Sequence, residues 1–286
     1  MSVNTRTLDH IVHLTPGSVE EVSKQFRKLG FNVLPGGVHA GGFTENALVV
    51  FEDGVYLELI SFTHPESDYP AGSPEREERN KNPWASKSPG WIDFAFLGNG
   101  SLENRISDAI NERAHAHGRA DLYGPEQPGG RTRPDGEVLK WLISPPPVER
   151  RGILPFFCGD VTPRHLRVPS EPPSNTVHPS TAKGISFIRT LVSPTIFDQI
   201  TKELQFVIGR PPLVSTPDSL TWELDTLHPL GKGSPRLIVD APKTGGESEF
   251  LKNFNEEITI YEVGFRVTNS KKGAATTPYG RISWDS

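Results

Sequence analysis

The chain has 286 residues, room for one large domain or two smaller ones of roughly 100–200 residues each. Hydrophobic residues make up 35% and charged residues 23%, a globular balance, while 27 glycines and 27 prolines exclude a long helical bundle. A net charge of −5 with no run of Lys or Arg argues against a nucleic-acid partner, and the lone Cys158 excludes an internal disulfide framework.

The opening MSVNTRTLDH lacks the apolar core of a signal peptide, and no stretch approaches the ~20 apolar residues that span a bilayer. The expectation is therefore a cytoplasmic protein without a membrane partner. Leu8 to Leu14 (LDHIVHL) alternates as a half-buried strand does. Ser18 and Glu21 form a capping box for a helix from Val19 to Leu29, which Gly30 closes. Phe31 to Leu34 predicts a short strand broken by Pro35-Gly36-Gly37. Glu45 to Glu52 and Val55 to Phe62 predict two more, joined by the Asp53-Gly54 hairpin. The order is β-α-β-β-β.

Residues 64–89 read as a polar surface excursion. The pattern then restarts: a strand from Trp91 to Leu97, a helix from Ser101 to Ala116, a glycine-rich loop from Gly124 to Gly136, and strands from Glu137 to Ser144 and Ile153 to Cys158. The two modules, 6–62 and 90–160, make a paired unit over 1–161, followed by a linker over 162–183. A third β-α-β unit covers 184–268. It has strands from Gly184 to Val192, Leu220 to Leu227, Arg236 to Asp240 and Ile258 to Val267, and helices from Pro194 to Ile208 and Glu247 to Asn255. Residues 269–286 read as a tail.

His10 lies mid-strand in the first strand and Glu58 mid-strand in the fourth. If the two strands are neighbours, His10 shares a face with Leu8 and Val12, and Glu58 with Tyr56 and Ile60. A carboxylate inside VYLELISF needs a partner or a metal. Imidazole with carboxylate suits Zn, Fe, Mn, Ni or Co; a plain hydrogen-bonded His–Glu pair is the alternative. His13, three residues from His10, points to the opposite face. His115 and His117 complement a helix C-terminus, and Cys158 reads as a small buried apolar residue. Arg131 and Arg133 in the glycine-rich loop have the chemistry to grip a carboxylate, and Trp141 and Trp91 to line an apolar cavity.

Several runs carry a resemblance: Leu8-Asp9-His10; Gly36-Gly37 with His39; Thr44, Asn46, Ala47 and Leu48; and Tyr56 to Ile60. Gly130 to Gly136 and Leu154 to Phe157 add to it. Together they resemble the glyoxalase-like branch of the vicinal oxygen chelate superfamily. The resemblance implies an α+β fold in which repeated βαβββ modules form a barrel around a cavity, with metal ligands on the first and fourth strands, here His10 and Glu58. The second module departs from that pattern, because alignment sets Asp93 opposite His10 and Phe157, which cannot bind metal, opposite Glu58. A three-ligand site then takes His39 as its third member, Asp93 next. Glu58 is the catalytic candidate, and Asp93, Arg133, Trp141 and Phe157 are the candidates for contacting substrate.

Two functions follow. One is an enzyme acting on a small oxygen-bearing metabolite through a divalent metal, of lyase, isomerase or dioxygenase type. The other is a metal-free small-molecule binder of the same fold. The resemblance also allows a homodimer.

Overall fold

The computed structural model describes residues 3–133, 135–147, 150–231, 233–254, 257–268, 273–277 and 280–285. The LDHIVHL alternation forms β1 (Leu8–Leu14), and the capping box starts α1 (Val19–Lys28), with Ser18 accepting from Glu21 N–H and the Glu21 carboxylate accepting from Ser18 N–H. β2 (Leu34–Val38) runs through Pro35, Gly36 and Gly37, which the sequence suggested would break it. It survives because it is an edge strand with a register shift between Pro35 and Gly37, where a missing N–H costs no ladder bond. β3 (Thr44–Val50) and β4 (Tyr56–Phe62) complete the first module.

The polar excursion contains α2 (Pro74–Asn80). The second module then repeats the order as β5 (Gly90–Leu97), α3 (Ile106–His115), β6 (Gln127–Thr132), β7 (Val138–Ser144) and β8 (Phe156–Asp160). α3 starts later than expected because the Ser101 hydroxyl caps a separate turn, accepting from Glu103 and Asn104 N–H. Part of the glycine-rich loop is strand β6, again at an edge.

The eight strands form one sheet in the order β2-β3-β4-β1-β5-β8-β7-β6. β1 and β4 pair in parallel, as do β5 and β8, and the modules meet along the antiparallel β1–β5 seam. The outer edges curl together: His39 and Arg131 form an antiparallel bridge, and Ala40 N–H donates to the Gly130 carbonyl at 3.3 Å. The sheet is thus a nearly closed barrel.

The segment after β8 holds α4 (Arg164–Arg167) and is more than a linker, as the site shows. Then come β9 (Ala182–Val192), α5 (Phe197–Ile208), β10 (Val214–Thr216), β11 (Ser219–Glu223), β12 (Arg236–Asp240), α6 (Gly245–Asn253) and β13 (Ile258–Val267). Asn255, the last residue expected in α6, lies outside the described residues. The expected tail supplies two strands instead, β14 (Gly273–Thr277) and β15 (Gly280–Asp285), with β15 parallel to β13. A tail was inferred because this stretch lacks long apolar runs, but edge strands need few of them. The second sheet runs β10-β11-β12-β9-β13-β15-β14, which repeats the first order with one edge strand fewer among the described residues.

One apolar core joins the two sheets. It takes Val22 and Phe26 from α1, Ile106 and Ile110 from α3 and Ile200 and Leu204 from α5. Phe31 and Phe51 meet Phe265 with ring centroids 4.9 and 5.6 Å apart. Backbone bonds tie β1 to the far sheet, with Leu8 N–H donating to the Asp225 carbonyl at 2.8 Å. No helix among the described residues is long and apolar enough to cross a membrane.

The Asp53-Gly54 turn is a second tie. The Asp53 carboxylate accepts Val55 N–H and, across the seam, Ile185 N–H, each at 2.9 Å, and burial pushes its pKa up to about 6. A methyl on Gly184 would collide with that carboxylate. Gly184→Ala is therefore expected to cost on the order of 2 kcal/mol in urea unfolding, and an unchanged midpoint would show that the seam yields.

Candidate functional site

The site begins with a β-bulge. Across the β1–β5 seam the register moves from Leu8↔Phe96 to His10↔Ala95, leaving Asp9 as the extra residue. Such a bulge re-aims side chains. Leu8 goes into the inter-sheet core, while His10 faces a cavity within the first sheet. The shared face expected for Leu8 and His10 is broken for this reason. His13 stays on the core face, packed against Phe26 and Trp91.

Asp9 is fully buried, with its Oδ2 2.7 Å from His10 Nδ1. Two arginines three residues apart on α4 hold it. Arg164 Nη1 reaches its Oδ1 at 2.5 Å, and Arg167 Nη1 reaches its Oδ2 at 3.0 Å. Arg167 also donates to Asp160 and to the Tyr56 hydroxyl at 2.8 Å, and Arg164 to the Gly54 carbonyl. Burial raises the pKa of Asp9, but the charges of Arg167 and Arg164 and the His10 hydrogen bond outweigh it, so the pKa lies well below the ordinary range. An ionised carboxylate only accepts, so His10 Nδ1 must donate and Nε2 is the atom left for the cavity. The ring is fixed by stacking on Tyr56 at 4.7 Å and by the edge of Phe156 at 5.2 Å.

Glu58, 6% exposed, faces that Nε2. Its Oε1 accepts from Asn46 Nδ2 at 2.6 Å and lies 3.3 Å from His39 Nε2; its Oε2 lies 3.7 Å from His10 Nε2. His39 is oriented by the Thr44 hydroxyl at 2.8 Å from Nδ1. Burial pushes the Glu58 carboxyl up, but the hydrogen bond and charge of His39, the charge of His10 and the Asn46 amide bring it down to about 2.

The cavity measures about 330 Å³, at the lower end for small-molecule sites. Strand alternation supplies its walls: Thr44, Asn46 and Leu48 from β3, Tyr56 and Glu58 from β4, Trp141 and Ile143 from β7, and Phe156 and Cys158 from β8. Gly129 leaves room for the Trp141 indole, and Pro83 and Trp84 come from the surface excursion. Arg131 enters where the edges β2 and β6 meet.

His10, His39, Glu58 and Trp141 are thus brought together. Three other candidates are not. Phe157 points to the core, packing on Phe96 and Tyr123, and its neighbours Phe156 and Cys158 line the cavity instead. Arg133 lies beyond the end of β6 and pairs with Asp135 at 2.7 Å; Arg131 takes the cavity position. Asp93 is on the cavity-side face but is not a wall. Its carboxylate accepts from Trp84 Nε1 at 3.0 Å and from Phe94 N–H, and burial, partly offset by those bonds, raises it to about 6.

The second-module counterparts also change. The β1–β4 ladder aligns His10 with Tyr56, and the β5–β8 ladder aligns Ala95 with Phe156. Ala95, which sits opposite His10, takes its place, and Cys158 takes that of Glu58. Burial pushes the Cys158 thiol up to about 12, so it is not a ready thiolate ligand. His39 Nε2, the remaining donor, approaches the other Glu58 oxygen and also meets Asn46 Nδ2 at 3.2 Å. Among the described residues no three His, Cys, Asp or Glu side chains gather at metal-ligating spacing.

The sequence did not assign Asp9, Asn46, Tyr56, Arg164 or Arg167 to the site, and it named Arg131 only beside Arg133 as a group able to grip a carboxylate. Asn46 and Tyr56 were legible as cavity-facing by period two from Thr44 and Glu58. Arg164 and Arg167 carry only an i, i+3 spacing in an apparent linker.

Two expectations follow. Arg167→Ala leaves the buried Asp9 charge half-compensated and should cost about 3–5 kcal/mol in denaturant unfolding. A loss near zero would show that Arg164 suffices. The Glu58 carboxyl lies at about 2 against an ordinary 4.5. A depressed carboxylate stabilises the fold above the ordinary value, and that contribution is lost as pH falls through the folded value. Glu58→Gln should therefore flatten the acid limb of stability between those two values, and an unchanged limb would contradict the assignment.

The glyoxalase-like domain family model matches residues 8–206, more than half of the chain. No curated protein sequence matches it. Among solved structures, a hypothetical protein from Staphylococcus aureus superposes with a TM-score of 0.67 at 10% identity, covering 98% of each chain. A mutant of 4-hydroxymandelate synthase from Streptomyces coelicolor superposes with a TM-score of 0.53 at 11% identity, covering 93% of this chain and 72% of that one. At such identities the likeness is one of fold, and it agrees with the paired βαβββ modules and their nearly closed barrel. The chain belongs to the glyoxalase-like domain family.

Proposed function

We propose that the cavity of the first sheet binds a small oxygen-bearing metabolite and moves a proton on it, in an isomerase- or lyase-type reaction. The observation that carries this is the 3.7 Å gap between His10 Nε2 and Glu58 Oε2. It is too long for a hydrogen bond. Asp9 accepts from His10 Nδ1, which leaves Nε2 turned toward the Glu58 carboxylate across that gap. A donor placed between them bridges it, and a substrate hydroxyl or enol has the right size and chemistry.

In this reading Glu58 accepts the substrate O–H. With its carboxyl at about 2 it is a poor base but a firm acceptor and counter-charge. His10 takes the proton from the adjacent carbon or oxygen, and Asp9, 2.7 Å away, stabilises the imidazolium that forms. Asn46 and His39 keep Glu58 in place. Trp141, Phe156 and Leu48 give the cavity its apolar walls.

The test is deuterium exchange. Full-length protein is incubated in D2O with a panel of small α-hydroxyketones and 2-oxo compounds, and loss of the carbon-bound proton is followed by NMR. Wild type should exchange at least one member, and His10→Ala and Glu58→Gln should each slow that exchange by about 100-fold or more. Equal rates in the variants would overturn the proposal. Protein purified without chelators or a metal-binding tag is expected to carry no stoichiometric transition metal. A stoichiometric metal lost in both His10→Ala and Glu58→Ala would replace proton transfer by coordination.

A further inference from the structure

Arg131 is buried, with 6% exposure, yet its Nη1 has no hydrogen-bond partner among the described residues. Its Nη2 makes one long contact, 3.5 Å to the Arg167 carbonyl. No carboxylate among the described residues lies within ion-pair distance of it, whereas Arg164 and Arg167 each meet two. Glu58 is within electrostatic reach, but Asn46 and His39 already engage its Oε1, and its Oε2 faces His10. A guanidinium taken out of water with a free donor is costly unless an anion completes it. Position supports the same conclusion. Arg131 enters the cavity at the β2–β6 closure, beside Gly37, where a methyl would come within 3.0 Å of Nη1. The missing side chain keeps that flank of the guanidinium open.

We infer that Arg131 receives a carboxylate of the ligand, so that the cavity selects a small organic monoacid with an apolar body. This rests on the reading of the cavity as a small-molecule site. The donors left free on Arg131 match one carboxylate. A dianionic phosphate would leave a charge unmatched, since the cavity's other arginine, Arg167, is committed to Asp9 and Asp160. The cavity, about 330 Å³ and walled by Trp141 and Phe156, sets the size and the apolar character of the body. The carboxylate lies at the sheet closure and the reacting oxygen at the His10–Glu58 gap, so the two groups fix the ligand's direction.

Benzoate and benzamide are the probes: the same ring, with and without the charge. Binding to the full-length protein is read by tryptophan fluorescence, since Trp84 and Trp141 line the cavity, and by thermal shift. Wild type should bind benzoate about tenfold tighter than benzamide, and added KCl should weaken benzoate alone. Arg131→Gln should abolish the preference, and Arg131→Lys should keep part of it. The salt comparison on wild type needs no variant, so it stands even where Arg131→Gln does not fold. Equal affinities, a preference that persists in Arg131→Gln, or no benzoate binding by wild type overturns the inference. Failure of the proton-transfer reading looks different: benzoate preference stays intact while His10→Ala and Glu58→Gln leave deuterium exchange unchanged.

Discussion

The buried Asp9 carboxylate and the two arginines that close on it hold the site together. The network draws in groups from several neighbouring elements. β1 gives Asp9, α4 gives Arg164 and Arg167, β8 gives Asp160, β4 gives the Tyr56 hydroxyl, and the turn before β4 gives the Gly54 carbonyl. A buried charge is tolerated only when paired and hydrogen-bonded, and here four carboxylate–guanidinium contacts and a phenol share that task. The result is directional. The network ends on His10 Nδ1, so the charge balance of a segment that reads as a linker decides which nitrogen of a cavity imidazole faces Glu58.

The second constraint is closure of the first sheet. Each βαβββ module alone presents one curved face, and the cavity exists only because β2 and β6 meet. That contact sets His39 and Arg131 opposite each other, one from each module. The modules are nonetheless unequal in chemistry. The first supplies the polar cluster, and the second answers His10 with Ala95 and Glu58 with Cys158, two groups that carry no charge there. Apart from Arg131, the charged and amide groups therefore sit on the first module's wall, and Trp141 and Phe156 on the second's. Such a division orients a ligand with one oxygenated and one apolar side.

Much of this was legible in the sequence. Alternation in LDHIVHL and VYLELISF, the Ser18–Glu21 box and the Asp53-Gly54 turn specify their elements locally, and the structure contains each of them. Edge strands were harder. β2 and β6 run through Pro-Gly-Gly and Gly-Gly, and β14 and β15 lack apolar runs, because a strand paired on one side needs neither a full ladder nor two buried faces. In the site, the pair His10 and Glu58 could be seen because both interrupt apolar strands. The bulge at Asp9 could not, since nothing local marks an extra residue in a ladder; it moved Leu8 to the other face. The one-residue slip that put Phe157 in place of Phe156 and Cys158 has the same origin: with period two, a register error of one exchanges core for cavity.

The second sheet treats a half-buried arginine differently. There Arg189 on β9 projects where α6 packs, and its guanidinium is met by Asp240 at 2.7 Å and by Glu247 of α6 at 2.7 Å, with Tyr261 beneath it. The cation is neutralised within the chain, and a helix occupies the face. In the first sheet the same kind of residue, Arg131, is buried without a carboxylate partner among the described residues. The chain has the means to pair a buried arginine and uses them at Arg164, Arg167 and Arg189. Leaving Arg131 uncompensated costs stability that these neighbours show to be avoidable, and such a cost persists where an incoming anion recovers it on binding. The unpaired guanidinium and the open gap between His10 and Glu58 lie in one cavity, and a single small hydroxy-acid would engage both.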